Sequence, residues 1–225
     1  MKIRFKAILV VSAILLATPL FAQETDAEEW GRKNDDHIKT VFKGGVSSVR
    51  GYGALTNKFT TIRGEYANLV GAYGGVFINH QLMIGVGGAA LTNRIKVPSE
   101  FSTAPLRDLN YEYGQFGLVT EYVVGSNNAF HIALSLFSGA GFTLQNDREE
   151  WDHDDDFDWD DHETDDTNWF YVLEPGVQFE INVFKWMRFS PGISYRAAFG
   201  SDGMGMRDSD VSDISYNATL KFGRF

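Results

Sequence analysis

From about residue 45 onward, the chain alternates apolar and polar positions with a period of two. That is the repeat of a β-strand whose two faces meet different surroundings. The clearest run is 170–184. Tyr171, Leu173, Pro175, Val177, Phe179, Ile181 and Val183 fall on one face, with Glu174, Gly176, Gln178, Glu180 and Asn182 on the other. The next run sets Met187, Phe189, Pro191, Ile193 and Tyr195 against Arg188, Ser190, Gly192, Ser194 and Arg196. Phe130, Ile132, Leu134 and Leu136 oppose His131, Ala133 and Ser135, and Ile214, Tyr216, Leu220 and Phe222 oppose Ser215, Asn217, Thr219 and Lys221. The first half is weaker. Leu82, Ile84 and Val86 alternate with glycines, and Phe116, Leu118 and Tyr122 mark one face of a fourth strand. The runs 49–61 and 66–78 are too rich in glycine to fix a register and predict a bulge.

The pattern predicts eight strands, at about 48–60, 65–78, 82–94, 110–124, 129–143, 169–183, 187–200 and 213–225. The connections 79–81, 125–128 and 184–186 are tight, whereas 95–109, 144–168 and 201–212 are long. The connection near 60–65 is short as well. Long amphipathic strands with short turns at one end and longer loops at the other define a membrane-spanning barrel. The expected fold class is all-β: an eight-stranded antiparallel transmembrane β-barrel in an up-and-down meander. Tyr111, Tyr113, Trp169, Phe170 and Tyr171 are expected in an aromatic girdle at the long-loop end. Phe77, Tyr122, Phe130, Phe184, Trp186 and Phe189 are expected in a second girdle at the other end.

Residues 1–22 read as a secretory signal peptide. Lys2, Arg4 and Lys6 precede an apolar core at 7–16, and a cut falls after Ala22. The core is short for a spanning helix, which needs about 20 apolar residues. Residues 23–44 form a polar, mostly acidic periplasmic tail, and 45–225 the barrel. Beyond the signal peptide no apolar run is long enough to cross a bilayer as a helix, which leaves a closed barrel as the only spanning form.

The signal sequence, the eight amphipathic strands and the terminal Phe225 together resemble the small outer-membrane barrels of the outer-membrane protein A and X type, over about 180 residues. Phe225 is similar to the terminal signal read by the barrel-assembly machinery in that family, although Leu220 and Phe222 are out of phase with it. The stretch GGVSSVRGYGALTNKFT, followed by LVG and INH, is similar to uncharacterised barrels common in Bacteroidetes. The resemblance implies the outer membrane of a Gram-negative bacterium, contact with its lipid, insertion by the assembly machinery, and no cofactor. A closed barrel has no edge that demands a partner, so a monomer is expected.

Composition sharpens the picture in three places. Without cysteine there is no disulfide and no thiolate metal site. The net charge of −10 argues against nucleic acid. That charge is concentrated: residues 147–166 hold 13 carboxylates and one arginine, a net of −12.

Within the third long loop, at 144–168, Asp152, Asp154, Asp156, Asp158, Asp160 and Glu163 match positions 1, 3, 5, 7, 9 and 12 of a calcium-binding loop. Phe157 stands where the sharp turn of such a loop has glycine. His153 and His162 among these carboxylates suit a transition metal instead. The plain alternative is a solvated acidic loop that attracts cations diffusely. Trp151, Phe157 and Trp159 add a contact surface for a basic protein, a cationic peptide, or lipopolysaccharide through bridging cations.

Glu121, Glu174, Glu180, Arg188 and Arg196 fall on the polar face. In a narrow lumen they should pair, because an unpaired buried charge is costly. Eight strands leave an interior that side chains fill, so the expectation is a plugged lumen. His131 and Ser135 share that face, but no Ser–His–acid constellation gathers at one rim. The expected function is therefore non-enzymatic, structural or surface-binding through the outer loops. The rivals are a lipid-modifying enzyme and a soluble lipocalin-like barrel with its apolar face turned inward.

Overall fold

The computed structural model describes residues 48–104, 106–126, 128–146 and 167–223. The signal peptide, the tail, Phe225 and all eight acidic-loop metal candidates lie outside the described residues. Eight strands follow in chain order: β1 Val49–Ile62, β2 Glu65–Ile78, β3 Leu82–Leu91, β4 Asn110–Val124, β5 Phe130–Asn146, β6 Asn168–Phe184, β7 Met187–Phe199 and β8 Asp213–Gly223. A four-residue helix α1, Asp208–Val211, precedes β8. Each strand pairs antiparallel with the next, and β1 pairs with β8, which closes the barrel. The predicted count and meander order hold.

The alternation decides which face goes where. Val177, Phe179, Ile193, Leu134 and Leu220 point outward, while Glu174, Gln178, Ser194, Ser215 and Lys221 are buried inside. This orientation rules out the lipocalin-like rival, whose apolar face would line the interior. The girdles need correcting. Trp169 and Tyr171 face outward at the long-loop end, but Tyr111, Tyr113 and Phe170 are buried inside. Phe77 is likewise internal, whereas Tyr122, Phe130, Phe184, Trp186 and Phe189 face outward. Among the aromatics at the short-turn end, Phe184 stacks on Trp186 at 5.5 Å and Trp186 on Phe222 at 6.3 Å. Aromatic content cannot by itself tell an outward girdle from an inward plug. Parity along the strand does, and Tyr111 and Tyr113 share the parity of Gln115 and Glu121.

The bulge expected in the first two strands is absent. β1 and β2 pair without interruption from Val49↔Ile78 to Ile62↔Glu65. The register shift lies between β6 and β7, at Asn182/Phe184. That ladder also skips Glu174 and Pro175, and again Phe179 and Glu180, opposite Arg196, Tyr195, Pro191 and Ser190. Proline has no N–H to give to a neighbouring strand, and Pro175 and Pro191 stand at these two gaps. Their rings point outward, where an apolar side chain belongs.

The glycines that blurred the first half have a packing role. Tyr73, Gly87, Gly117 and Gly139 pair in one row across β2 to β5. A Cβ on Gly117 would stand 2.5 Å from Gly139 Cα and from the Ser138 carbonyl. With no side chains at the three glycines of the row, the Tyr73 ring has room to reach across the lumen.

Candidate functional site: the charged lumen and its long-loop mouth

Inward positions of neighbouring strands build two charged layers. The layer nearer the short turns centres on two carboxylates. Glu121 accepts from Tyr52 at 3.0 Å, Tyr73 at 2.7 Å and Lys221 at 2.8 Å. Glu180 pairs with Lys221, with Arg188 at 3.1 Å and with His131 Nε2 at 2.6 Å. Lys221 bridges the two carboxylates. The middle layer centres on Glu174. Its two oxygens take Lys58 Nζ at 2.8 and 2.7 Å, Ser194 Oγ at 2.6 Å and Gln115 Nε2 at 3.1 Å.

The predicted lumen residues are therefore brought together with one exception. Arg196 finds no carboxylate among the described residues. Its Nε donates to the Val211 carbonyl at 2.6 Å and its Nη2 to the Thr61 carbonyl at 2.9 Å. Its guanidinium lies 5.0 Å from the centre of the Tyr113 ring. Carbonyl dipoles and an aromatic face take the place of an anion here, although Arg196 Nη1 is buried with no hydrogen-bond partner among the described residues. Sequence reading missed Lys58 and Lys221 as the counter-ions. Parity places Lys221 inside with Ser215 and Thr219; Lys58 sat in the glycine-rich strand whose register was not fixed.

Between the layers lies a cavity of about 50 Å³, lined by Lys58, Tyr73, Glu121, Glu174, Gln178 and Asn217 among others. Gln178 Oε1 and Asn217 Oδ1 are buried there with no hydrogen-bond partner among the described residues. The space admits about three or four water molecules. Water can accept from Lys58 and donate to the two amide oxygens, so the cavity has the character of a hydrated gap. His131 has both ring nitrogens occupied, by Glu180 and by the Asn128 carbonyl at 3.2 Å. No hydrogen bond joins it to Ser135.

At the long-loop end three connections converge on the mouth. The β1–β2 turn is only Arg63 and Gly64, both left-handed, with φ of 54° and 77°. For a non-glycine residue that backbone costs on the order of 1 kcal/mol, so its contacts must compensate. The Arg63 N–H donates to the Asp210 carbonyl at 2.7 Å, and its guanidinium donates to the Gly205 carbonyl. The guanidinium also lies 5.0 Å from the Phe101 ring centre and 5.7 Å from that of Tyr111. Tyr111 donates to the Met204 carbonyl at 2.8 Å. Beneath these contacts Ile62, Ile95, Met206 and Val211 are buried to 1% exposure or less, as an apolar cap on the lumen. Above the cap is an open cavity of about 410 Å³ lined by Arg63, Phe101, Asp202, Gly205, Met206, Arg207 and Asp210.

No protein-family model matches the sequence. No curated protein matches it either. Solved structures do. Neisserial surface protein A superposes with a TM-score of 0.51 at 14% identity, over 80% of this chain and 99% of that one. The N-terminal β-barrel domain of Pseudomonas aeruginosa OprF gives 0.45 at 8% identity, over 78% and 99%. The attachment invasion locus protein Ail of Yersinia pestis gives 0.39 at 12%, over 79% and 97%. The fold is that of the small eight-stranded outer-membrane β-barrels.

Proposed function

We propose that this chain is a non-enzymatic outer-membrane barrel whose body is a filled, anchoring scaffold and whose long loops do the binding. The observation that carries this is the contrast between its two faces. The outside is a continuous apolar wall edged by Trp169 and Trp186, while the inside is occupied by paired charges on either side of a gap of about 50 Å³. A band of apolar side chains suits lipid, and a lumen filled to that degree does not suit a pore. The three long connections leave the same end, which on this reading faces outward. Localisation in the outer membrane, cleavage after Ala22, delivery by the assembly machinery and a monomeric state belong to the same reading.

The acidic segment 147–166, with its net charge of −12, is the main binding element of this surface. Its carboxylates suit divalent cations, and its three aromatics suit a cationic partner once those charges are bridged. Two measurements test the proposal. Protease cleavage within 147–166 on intact cells, with no cleavage in the tight turns, supports the orientation; the reverse pattern overturns it. Calcium titration of the refolded barrel, read by Trp151 and Trp159 fluorescence, tests the cation. A saturable response lost on deletion of 152–163 supports specific binding, and a response that follows ionic strength alone overturns it.

A further inference from the structure

The cavity above the cap is unlike the lumen below it. It is open, and its walls are held by contacts that cross three connections. Gly205, at φ 71°, packs so closely on Phe101 that a Cβ there would overlap the ring. Arg63 fixes the other wall through the Gly205 and Asp210 backbones. At about 410 Å³ the cavity falls within the usual range for small-molecule sites, roughly 300–1,000 Å³.

Its hydrogen-bonding groups are only partly used. Among the described residues, the Arg63 guanidinium makes one hydrogen bond, to Gly205, and Arg63 lines the cavity. Arg207 spends its backbone N–H and its Nε on Asp210 Oδ2, at 2.9 and 3.3 Å, which leaves its terminal nitrogens and Asp210 Oδ1 over. Donors and an acceptor therefore line the same space, with Phe101 as its exposed apolar surface.

Charge narrows the ligand class. Two arginines and two aspartates line the cavity, so it has no net charge of its own. The segment 147–166 leaves β5 and enters β6 at the same end, and its charge of −12 raises a field against anions. The two arginines oppose a simple cation. A neutral molecule with hydroxyls that both donate and accept, and a C–H face for Phe101, meets every condition. We infer that the outer-mouth cavity is a binding site for a neutral saccharide ring. This rests on the reading that the long-loop end faces outward, where glycans are met.

The test is saturation-transfer NMR on the detergent-refolded full barrel. Methyl glucoside, methyl galactoside and methyl mannoside serve as neutral probes, with glucuronate and glycine as anionic and zwitterionic controls. The expected result is transfer to at least one methyl glycoside with a Kd on the order of millimolar, and weakening of about tenfold in Arg207→Ala and in Asp210→Asn. Arg207 is exposed, so its removal leaves the barrel intact, and heat-modifiable gel mobility checks this. Three results overturn the inference: no transfer to any glycoside, transfer unchanged in both variants, or preferred binding of glucuronate or glycine. The refolded barrel reports on the cavity alone. An inverted cleavage pattern on cells would instead overturn the orientation, so the two failures are separable.

Discussion

His131 and Glu180 are directly paired residues of β5 and β6, and their side chains meet Nε2 to Oε2 at 2.6 Å in a site closed to solvent. Glu180 also holds Lys221 and Arg188. The carboxylate is thus the hub of this layer and the histidine one of three spokes. Removing the hub takes a carboxylate from Lys221, Arg188 and His131 at once, whereas removing a spoke leaves the hub with two partners. Glu180→Gln is expected to destabilise the barrel by about 3–5 kcal/mol. His131→Gln is expected to cost about 1–3 kcal/mol. Urea unfolding of the refolded protein in lipid vesicles measures both, and equal losses would contradict the hub arrangement.

The middle layer predicts a different pattern. Lys58 and Glu174 are mutual partners, so either alone becomes an uncompensated buried charge. Lys58→Met and Glu174→Gln should each destabilise the barrel. The double variant Lys58→Met/Glu174→Gln should lose less than the sum of the two, with a coupling of about 1–3 kcal/mol. Additive losses in the same unfolding assay would show that the pair does not interact in the membrane.

The glycine row gives a third expectation. Gly117→Ala places a methyl against Gly139 Cα, and overpacking of this kind costs about 1–3 kcal/mol. Gly51 has nothing within 4 Å of a Cβ, so Gly51→Ala is expected to be neutral. The yield of heat-modifiable, folded protein on gels reads the contrast. Equal yields would mean that the strands can part at Gly117.

The outer wall gives a fourth. Val177 lies halfway along β6 and faces outward, while Trp186 lies in the tight turn after it. Val177→Arg should cost about 2–4 kcal/mol in a bilayer and Trp186→Arg about 0–1 kcal/mol. Unfolding titrations in vesicles compare the two, and a cost that does not depend on position would argue against lipid around this wall.

Periodicity made most of the barrel legible. In β6 and β7 every second residue is large and apolar, so strand, face and the inward position of Glu174, Glu180, Arg188 and Arg196 could all be read before any coordinates. Glycine hid the rest. Without side chains at Gly51, Gly53, Gly74 and Gly75, β1 and β2 have no visible parity, and Lys58 was lost with them. Tyr111 and Tyr113 misled for another reason. Chemistry suggested an interface, but their parity with Gln115 put them inside. The long-loop cavity was not legible at all, because Arg63, Phe101 and Asp210 come from three separate connections and only the closed fold brings them together.

The pairing of β1 with β8 has a consequence for how the molecule comes into being. Leu55 finds its ladder partner in Leu220, near the far end of the chain. Until that rung forms, the first seven strands make an open sheet with bare N–H and C=O groups along both margins, which hydrocarbon does not tolerate. Contacts so distant in sequence are also slow to form. Biogenesis is thus a waiting problem: the earliest strand's margin must be kept solvated or shielded until the latest strand arrives to cover it.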